Sequence, residues 1–598
     1  MGALIGIDLG TTNSCLAIFE GQGPHILANA EGGRTTPSVV SFGEDVLVGE
    51  AALRFRVLDP ESTVSSVKRL IGRRHEEVAG SDSRIVPGPE GTVRIELPGG
   101  QISPEEVSAR VIGKLLADAQ SYLDETVEGV VITVPAHFDD GQRQATVRAA
   151  ELAGVEVIRL LNEPTAAALA YGRGKEDQVL AVFDLGGGTF DISVLEVGEG
   201  VFEVLATAGD INLGGDDFDR VLVGMLKEAW LREKGLSLHD TADSSARLLD
   251  AARAAKHELS GLERTLVSLP FLEGEEGLEA EVTRAGFEAA CAPLLERLRS
   301  PLAAVLEETG VRPDELLFVG GMTRMPAVRL LAEETVHLQA RSDVQPDEAV
   351  ALGAALQAAS LQGQDNALLL DVTPLSLGIE TDGRVMRRLI EANSTIPIRV
   401  SEIFTTSEDN QPSVDIRILQ GEHSLAEENR LLGEINLIGI PPAIAGVPQI
   451  EICFDLDADG VLSVSARDLT TGQEQAVRLQ GTSSLPAEMI EELKINEQEI
   501  GRDLQERGYR LALARRRRLT EVLKTLLSRV ENKTRQRLAG ALHGLQTAEE
   551  GPAVVLAVRK ADEELRRALE SGLLKGLAGD SDDPGRSAPD NSADQSDG

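Results

Sequence analysis

The chain has 598 residues, of which 42% are hydrophobic and only 3% aromatic, and it carries a net charge of −40 at neutral pH. This length predicts roughly three or four domains with cores of ordinary apolar content. The charge argues against nucleic acid, whose phosphates demand positive charge, and the few aromatics leave no base-stacking platform.

At the N-terminus the first strand begins by Leu4, so no charged leader or apolar signal core precedes it. Gly6 spoils the pattern for lipidation at Gly2, and no apolar run approaches the ~18 residues of a membrane span. A cytoplasmic protein without a membrane partner is expected. The stretch Ile5-Gly6-Ile7-Asp8-Leu9-Gly10-Thr11-Thr12-Asn13-Ser14 runs from an apolar strand into an acid, a glycine turn and hydroxyls. Glycine lets backbone N–H groups crowd an anion, and a carboxylate can hold a hydrated divalent cation. Cys15, Cys291 and Cys453 have no metal-ligand spacing and suggest a reducing compartment. Cys15 reads as a small buried core residue, with redox sensing as the alternative.

Residues 129–135 (GVVITVP) read as a buried strand, 142–152 as a helix, 155–161 as a strand and 164–171 as a helix. Then comes a second copy of the first turn, Asp184-Leu185-Gly186-Gly187-Gly188-Thr189-Phe190-Asp191, after the apolar run 179–183. Taken alone it could be an ordinary tight hairpin. Two copies suggest two similar lobes gripping one polyphosphate, with Asp8, Asp184 and Asp191 orienting Mg2+ through its waters. Helices are predicted over 246–259 and 284–308. A third turn, Gly320-Gly321-Met322-Thr323-Arg324, follows the apolar run ending at Val319, and its Arg324 could lay a planar guanidinium on a base. No G-x-x-x-x-G-K-[ST] is present, since Gly172-Arg173-Gly174-Lys175 is followed by Glu176, and no G-x-G-x-x-G opens a helix.

From Val372 the pattern changes to short alternating runs such as 413–418, 449–454 and 461–466, as in an antiparallel β-sandwich. From Pro486 it turns helical, with Ser484 as a cap and helices over roughly 486–507, 509–548 and 552–574. The run Arg515-Arg516-Arg517-Arg518 points in all directions from a helix. A solvated helix is the first reading, pairing with the acids Asp382, Glu408 and Asp409 the second, nucleic acid a remote third. Residues 579–598 hold almost nothing apolar and should be disordered.

The IDLGTTNS, DLGGGTFD and GGMTRMP turns together resemble the actin-like ATPase domain of the DnaK (seventy-kilodalton heat-shock) chaperone family, and the likeness runs from about residue 2 to 484. It implies an α/β actin-like two-lobed ATPase domain (1–363), an interdomain linker (364–371), an antiparallel β-sandwich that binds peptide (372–483), an α-helical lid (484–576) and a disordered acidic tail (577–598). The implied activity is ATP hydrolysis to ADP and phosphate with Mg2+, K+ being a further candidate ion. It would control the exchange of extended apolar polypeptides, with a J-domain co-chaperone and a GrpE-type nucleotide exchange factor as partners. A specialised HscA-like or HscC-like chaperone would share every motif. A small-molecule kinase of the actin-like class would lack the second half, and a filament-forming protein would assemble with ATP. The absence of a Glu-Glu-Val-Asp terminus favours a bacterial type.

The resemblance also assigns residues. Lys68 positions the attacking water and Glu163 is the carboxylate beside it, while Asp8, Asp184 and Thr189 complete the catalytic set. Gly10, Thr11, Thr12, Asn13, Gly186, Gly187 and Gly188 cradle phosphate; Lys256, Ser260, Gly320, Gly321, Arg324 and Asp347 hold the nucleoside. Ile379, Thr381, Phe404, Val414 and Ile416 line the peptide cleft, although on their own they read as sandwich core. Leu368, Leu369, Leu370 and Asp371 form the linker, otherwise an ordinary first strand, and with Arg143 and Arg159 they carry coupling and the J-domain response. Five positions depart from the family pattern. Arg253 stands where relatives carry a Glu for the ribose hydroxyls, and an arginine cannot accept a hydrogen bond. Asp382 and Ser407 replace apolar residues over the peptide, Ala445 an arginine that latches the lid, and Ala392 a lysine near the linker. The loop between Pro270 and Glu281 is also shorter than in the best-known bacterial relatives, which bears on the exchange factor.

Overall fold

The computed structural model describes residues 3–478, apart from short stretches at 22, 44, 57, 79–83, 173–176, 199, 342, 344, 365–366 and 458–459, and then a few residues between 520 and 561. Two units separate at 494/495. In the second, α9 (Asn532–Thr547) is the helix among the described residues. The predicted cap at Ser484, the arginine run 515–518, most of the predicted lid and the tail lie outside the described residues.

The first unit opens with β1 (Ala3–Asp8), β2 (Asn13–Glu20) and β3 (Gly23–Ile26). After α1 (Pro104–Leu123) come β4 (Val127–Val134), α2 (Asp140–Leu152), β5 (Glu156–Asn162) and α3 (Glu163–Gly172). The sheet runs β5-β4-β1-β2-β3. β1 and β2 form an antiparallel hairpin with Asp8 opposite Cys15, while β4 lies parallel to β1 with Thr133 beside Asp8. Strands β1 and β4 are buried on both faces, which explains their unbroken apolar runs.

The same plan recurs. β6 (Gln178–Leu185), β7 (Phe190–Gly198) and β8 (Val201–Asp210) are joined by β9 (Glu315–Val319), in the order β9-β6-β7-β8. Again a hairpin places Asp184 opposite Asp191, and a parallel strand sets Val319 beside Asp184. The hairpin and the phosphate-turn readings of residues 184–191 are thus compatible. This lobe carries α4 (Gly215–Lys234), α5 (Ala242–Gly261), α6 (Arg284–Ala290) and α7 (Ala292–Thr309). The single helix predicted over 284–308 is therefore two. It breaks at Cys291, and Pro293 starts the second within its first turn, where a missing N–H costs nothing.

Between the two sheets lies α8 (Ala349–Leu361), AVALGAALQAASL, buried almost throughout. A Cβ on Gly353 would stand 1.7 Å from the carbonyl oxygen of Ala166 in α3. One on Gly6 of β1 would stand 2.3 Å from the amide nitrogen of Ala355. Backbones this close need glycine.

Strand β10 (Leu368–Val372) adds itself to the second lobe's sheet. It runs parallel to β8, with Phe202 opposite Leu369 and Glu203 opposite Leu370. Beyond it lie β11 (Leu377–Thr381), β12 (Val385–Ile390), β13 (Thr395–Ile396), β14 (Ile398–Phe404), β15 (Ser413–Gln420), β16 (Arg430–Ile438), β17 (Ile450–Leu456), β18 (Leu462–Asp468) and β19 (Glu474–Arg478). β13 pairs with β10, and the other eight make two antiparallel four-stranded sheets, β12-β11-β15-β16 and β14-β17-β18-β19. Side chains of both, including Ile379, Ile418, Leu437, Phe454 and Val464, share one core. Among the described residues no helix is long and apolar enough to cross a membrane.

Candidate functional site

The two duplicated turns meet. A Cβ on Gly187 would lie 1.9 Å from Thr12 Oγ1, and one on Gly188 2.7 Å from Thr11 Oγ1, so the hydroxyls of the first turn fit only against glycines in the second. Gly320 of the third turn has φ of +78°, and a Cβ there would strike the Leu185 carbonyl at 2.3 Å. Three turns distant in sequence therefore converge on one cavity of about 400 Å³, within the ordinary range for small-molecule sites.

Asp8, Gly10, Thr11, Thr12 and Asn13 line it from the first lobe, with Lys68 and Glu163 at its base. From the second lobe come Asp184, Gly186, Gly187 and Thr189, then Lys256 and Ser260 of α5. Gly320, Gly321, Arg324 and Asp347 close the far side, where Arg324 Nη2 donates to Asp347 Oδ2 at 2.5 Å. Of the nucleotide and catalytic residues expected from sequence, Gly188 is absent from the lining, as is Asp191, expected to orient magnesium. A Cβ on Gly188 would press on Thr11, and Asp191 lies opposite Asp184 in the β6–β7 hairpin.

Lys68 and Glu163 form an ion pair and are 6% and 7% exposed, far from the surface salt bridge that either would make alone. Lys68 is held in a short 3-10 turn entered through Ser66, a non-glycine residue at φ 56°. Such backbone is uncommon and is kept where surrounding packing enforces it. The next residue, Arg69, pairs with Asp217 and donates to the Gly188 carbonyl at 3.2 Å, tying the two lobes.

Burial raises the pKa of Asp8, with Lys68 and the Thr133 hydroxyl opposing it. Burial also raises Glu163, again against Lys68. Asp184 is pushed well above the usual carboxylate range by burial and then by Glu163, Asp191 and Asp8. A group of buried acids with one lysine opposite is a donor set that fits a divalent cation. Among the described residues no group of three His, Cys, Asp or Glu is arranged to hold a metal ion directly.

The sequence reading missed two histidines. His257, beside Lys256, also lines the cavity. His137 lies behind it, its Nδ1 3.0 Å from Asp191 Oδ1. Adjacency to Lys256 could have suggested the first, but nothing local marks the second.

From the base of the cavity a polar chain leads outward. Asn162, the residue before Glu163, accepts from Arg143 Nη2 at 2.7 Å and donates through Nδ2 to Asp371 Oδ2 at 2.9 Å. Burial raises the Asp371 carboxyl, while Arg143 and Arg159 hold it down. Arg143 is locked by the carbonyls of Phe138 and Ala136. Leu368 is 54% exposed, and Leu369 and Leu370 are half-buried in β10. Beyond Asp371, Arg430 pairs with Asp139 and donates to the Gly72 carbonyl at 3.1 Å. Asn393, next to Ala392, accepts from the Thr207 amide at 3.1 Å and donates to Glu308 at 2.8 Å.

In the C-terminal sheets Ile379 and Ile416 are buried core, while Phe404 and Val414 pack half-buried against them. Thr381 donates to the Val385 carbonyl at the end of β11. Asp382 and Ser407 are exposed. Ala445 is engaged through its backbone N–H, which donates to Asp409 at 2.8 Å.

A family model described as Hsp70 protein matches residues 4–571. Among curated proteins, "Chaperone protein DnaK 1" of a Synechococcus species is 48% identical over 597 residues, covering 97% of this chain and 78% of that one. "Chaperone protein DnaK" of Thermus thermophilus is 47% identical over 591 residues, or 95% of this chain and 96% of its own. A protein of the same name from Trichormus variabilis is 49% identical over 523 residues, 85% and 75% of the two chains.

Proposed function

This chain belongs to the Hsp70 family, and from that premise we propose how its own residues run an ATP-dependent chaperone cycle. It is an ATPase and a molecular chaperone of the DnaK kind that binds nucleotide, polypeptide substrates and co-chaperones. The specialised HscA-like or HscC-like alternative is not favoured by relatives that bear the DnaK name over nearly the whole chain. We take residues 1–363 as the two-lobed ATPase domain, 364–371 as the linker, 372–483 as a peptide-binding β-sandwich, 484–576 as the helical lid and 577–598 as the tail.

In this reading the glycine turns and the hydroxyls of Thr11, Thr12 and Thr189 hold the phosphates. Lys68 places a water for attack and offers positive charge, and Glu163 fixes Lys68. Phosphoryl transfer needs this positioning and charge more than covalent help. Asp8, Asp184 and Asp191 would hold hydrated Mg2+, which when bound neutralises phosphate charge; K+ is a further candidate. Asn162 is bonded to Asp371 at one end and adjoins Glu163 at the other, so the chemistry at Glu163 and the seating of β10 bias one equilibrium. That coupling is reciprocal: peptide and ATP each shift the other's affinity. Peptide would lie along Ile379, Thr381, Phe404, Val414 and Ile416, drawing affinity from its backbone. A J-domain protein and a GrpE-type exchange factor are the partners, and the cytoplasm the location.

The observation that carries this reading is the meeting of two mirrored turns over a buried Lys68–Glu163 pair. It is tested by ATP turnover of the full chain, alone and with an apolar peptide plus a J-domain protein. Turnover should rise in the second case, and a chain that hydrolyses no ATP in either defeats the reading. Exposed Asp382 beside the peptide residues predicts clients with Lys or Arg flanks. Peptide arrays should show that bias, and Asp382→Met should weaken it; an unbiased array contradicts the role given to Asp382.

A further inference from the structure

Against the nucleotide cavity lies a second one of about 430 Å³, which shares Thr11, Thr12, Asn13 and His257 with it. Two guanidinium groups from opposite lobes line it. Arg56, which ends the short helix Glu50–Phe55, is 8% exposed and pairs with Asp250 through Nη2 alone. Its Nε and Nη1 are buried without a hydrogen-bond partner. Arg253 of α5 places Nε 3.1 Å from Asp219 and Nη2 3.2 Å from Asp216. Asp219 in turn stands 2.7 Å from Lys256, whose ammonium lines the nucleotide cavity. The three acids of the cluster, Asp216, Asp219 and Asp250, are thus each taken by a cation.

What is left over is donor capacity. Buried charged donors without a partner are expensive, and an orphaned group of this kind asks for a ligand or ion. Burial and the neighbouring charge of Arg253 both lower the Arg56 pKa, with Asp250 and Asp216 opposing them. The position of Arg253 specifies the anion further. On α5 it lies one turn from Lys256 and His257, and two from Ser260, on the face that borders the nucleotide cavity. An arginine beside a ribose cannot accept from its hydroxyls. In dinucleotide-binding folds an acid there reads the free hydroxyl, and an arginine accommodates a phosphate on it.

We propose that this second cavity receives a phosphate group carried on the ribose, so that the chain prefers adenine nucleotides bearing an additional 2′- or 3′-phosphate. The proposal rests on the nucleotide reading of the main cavity. Because Arg56 and Arg253 belong to different lobes, such a phosphate would also bridge the cleft and slow nucleotide release.

The test is calorimetry on the full chain with ADP, with ADP carrying a 2′- or 3′-phosphate, and with ADP plus inorganic phosphate. One of the ribose-phosphorylated forms should bind about tenfold or more tighter than ADP, and dissociate more slowly. Arg56→Gln should remove that preference. Arg253→Glu should reverse it while tightening plain ADP, which also reports an intact fold. Equal or weaker binding of both phosphorylated forms overturns the proposal. Tightening by free phosphate without a preference for the ribose-linked group overturns the ribose assignment. Failure to bind ADP at all would instead strike at the nucleotide reading itself.

Discussion

Glu105 is second in α1, 5% exposed, and apart from the nucleotide cavity. Burial pushes its carboxyl up to about 7, with its own backbone N–H, the Ser103 hydroxyl and Arg94 opposing. A raised acid binds its proton more tightly folded than unfolded. Its stabilising share is therefore full below the ordinary value near 4.5 and is lost as pH rises through about 7. Glu105→Gln should consequently raise the melting temperature more at pH 8 than at pH 5, and a pH-independent difference contradicts the assignment. Residues of this kind show how legibility varies. The acids, glycines and hydroxyls of the turns were readable because their chemistry is local and repeated. The burial of Glu105, and the contact of His137 with Asp191, depend on distant packing that no spacing reports.

Among elements, α8 was the hardest to read, because alanines on every side give no periodic stripe and its role is steric. Gly353 is the point where it crosses α3, whose first residue is Glu163. Gly353→Ala would drive a methyl into the Ala166 backbone, an overpacking cost of about 3 kcal/mol or more. Urea titration should register that loss, and nucleotide affinity should fall with it; an unchanged midpoint would show that the crossing tolerates a side chain. The linker was half readable. Three leucines and an aspartate announced either a linker or a strand, and β10 has the geometry of a strand seated on β8. Its partner is more than 150 positions away, beyond the reach of any local pattern.

For the whole molecule, the duplicated topology was legible from two short motifs. The division of labour between the lobes was not, because it depends on cross-lobe pairs such as Arg69–Asp217 and Arg56–Asp250. The route from Glu163 through Asn162 to Asp371, with the Arg430–Asp139 pair beside it, is the contact path along which the proposed coupling of the cleft to the C-terminal sheets would run. The most direct test is the dissociation rate of a labelled apolar peptide from the full chain, measured with ATP and with ADP, for wild type and Asn162→Ala. Release should be about tenfold or more faster with ATP in the wild type, and Asn162→Ala should lose most of that difference. Release at one rate whichever nucleotide is bound would contradict the coupling.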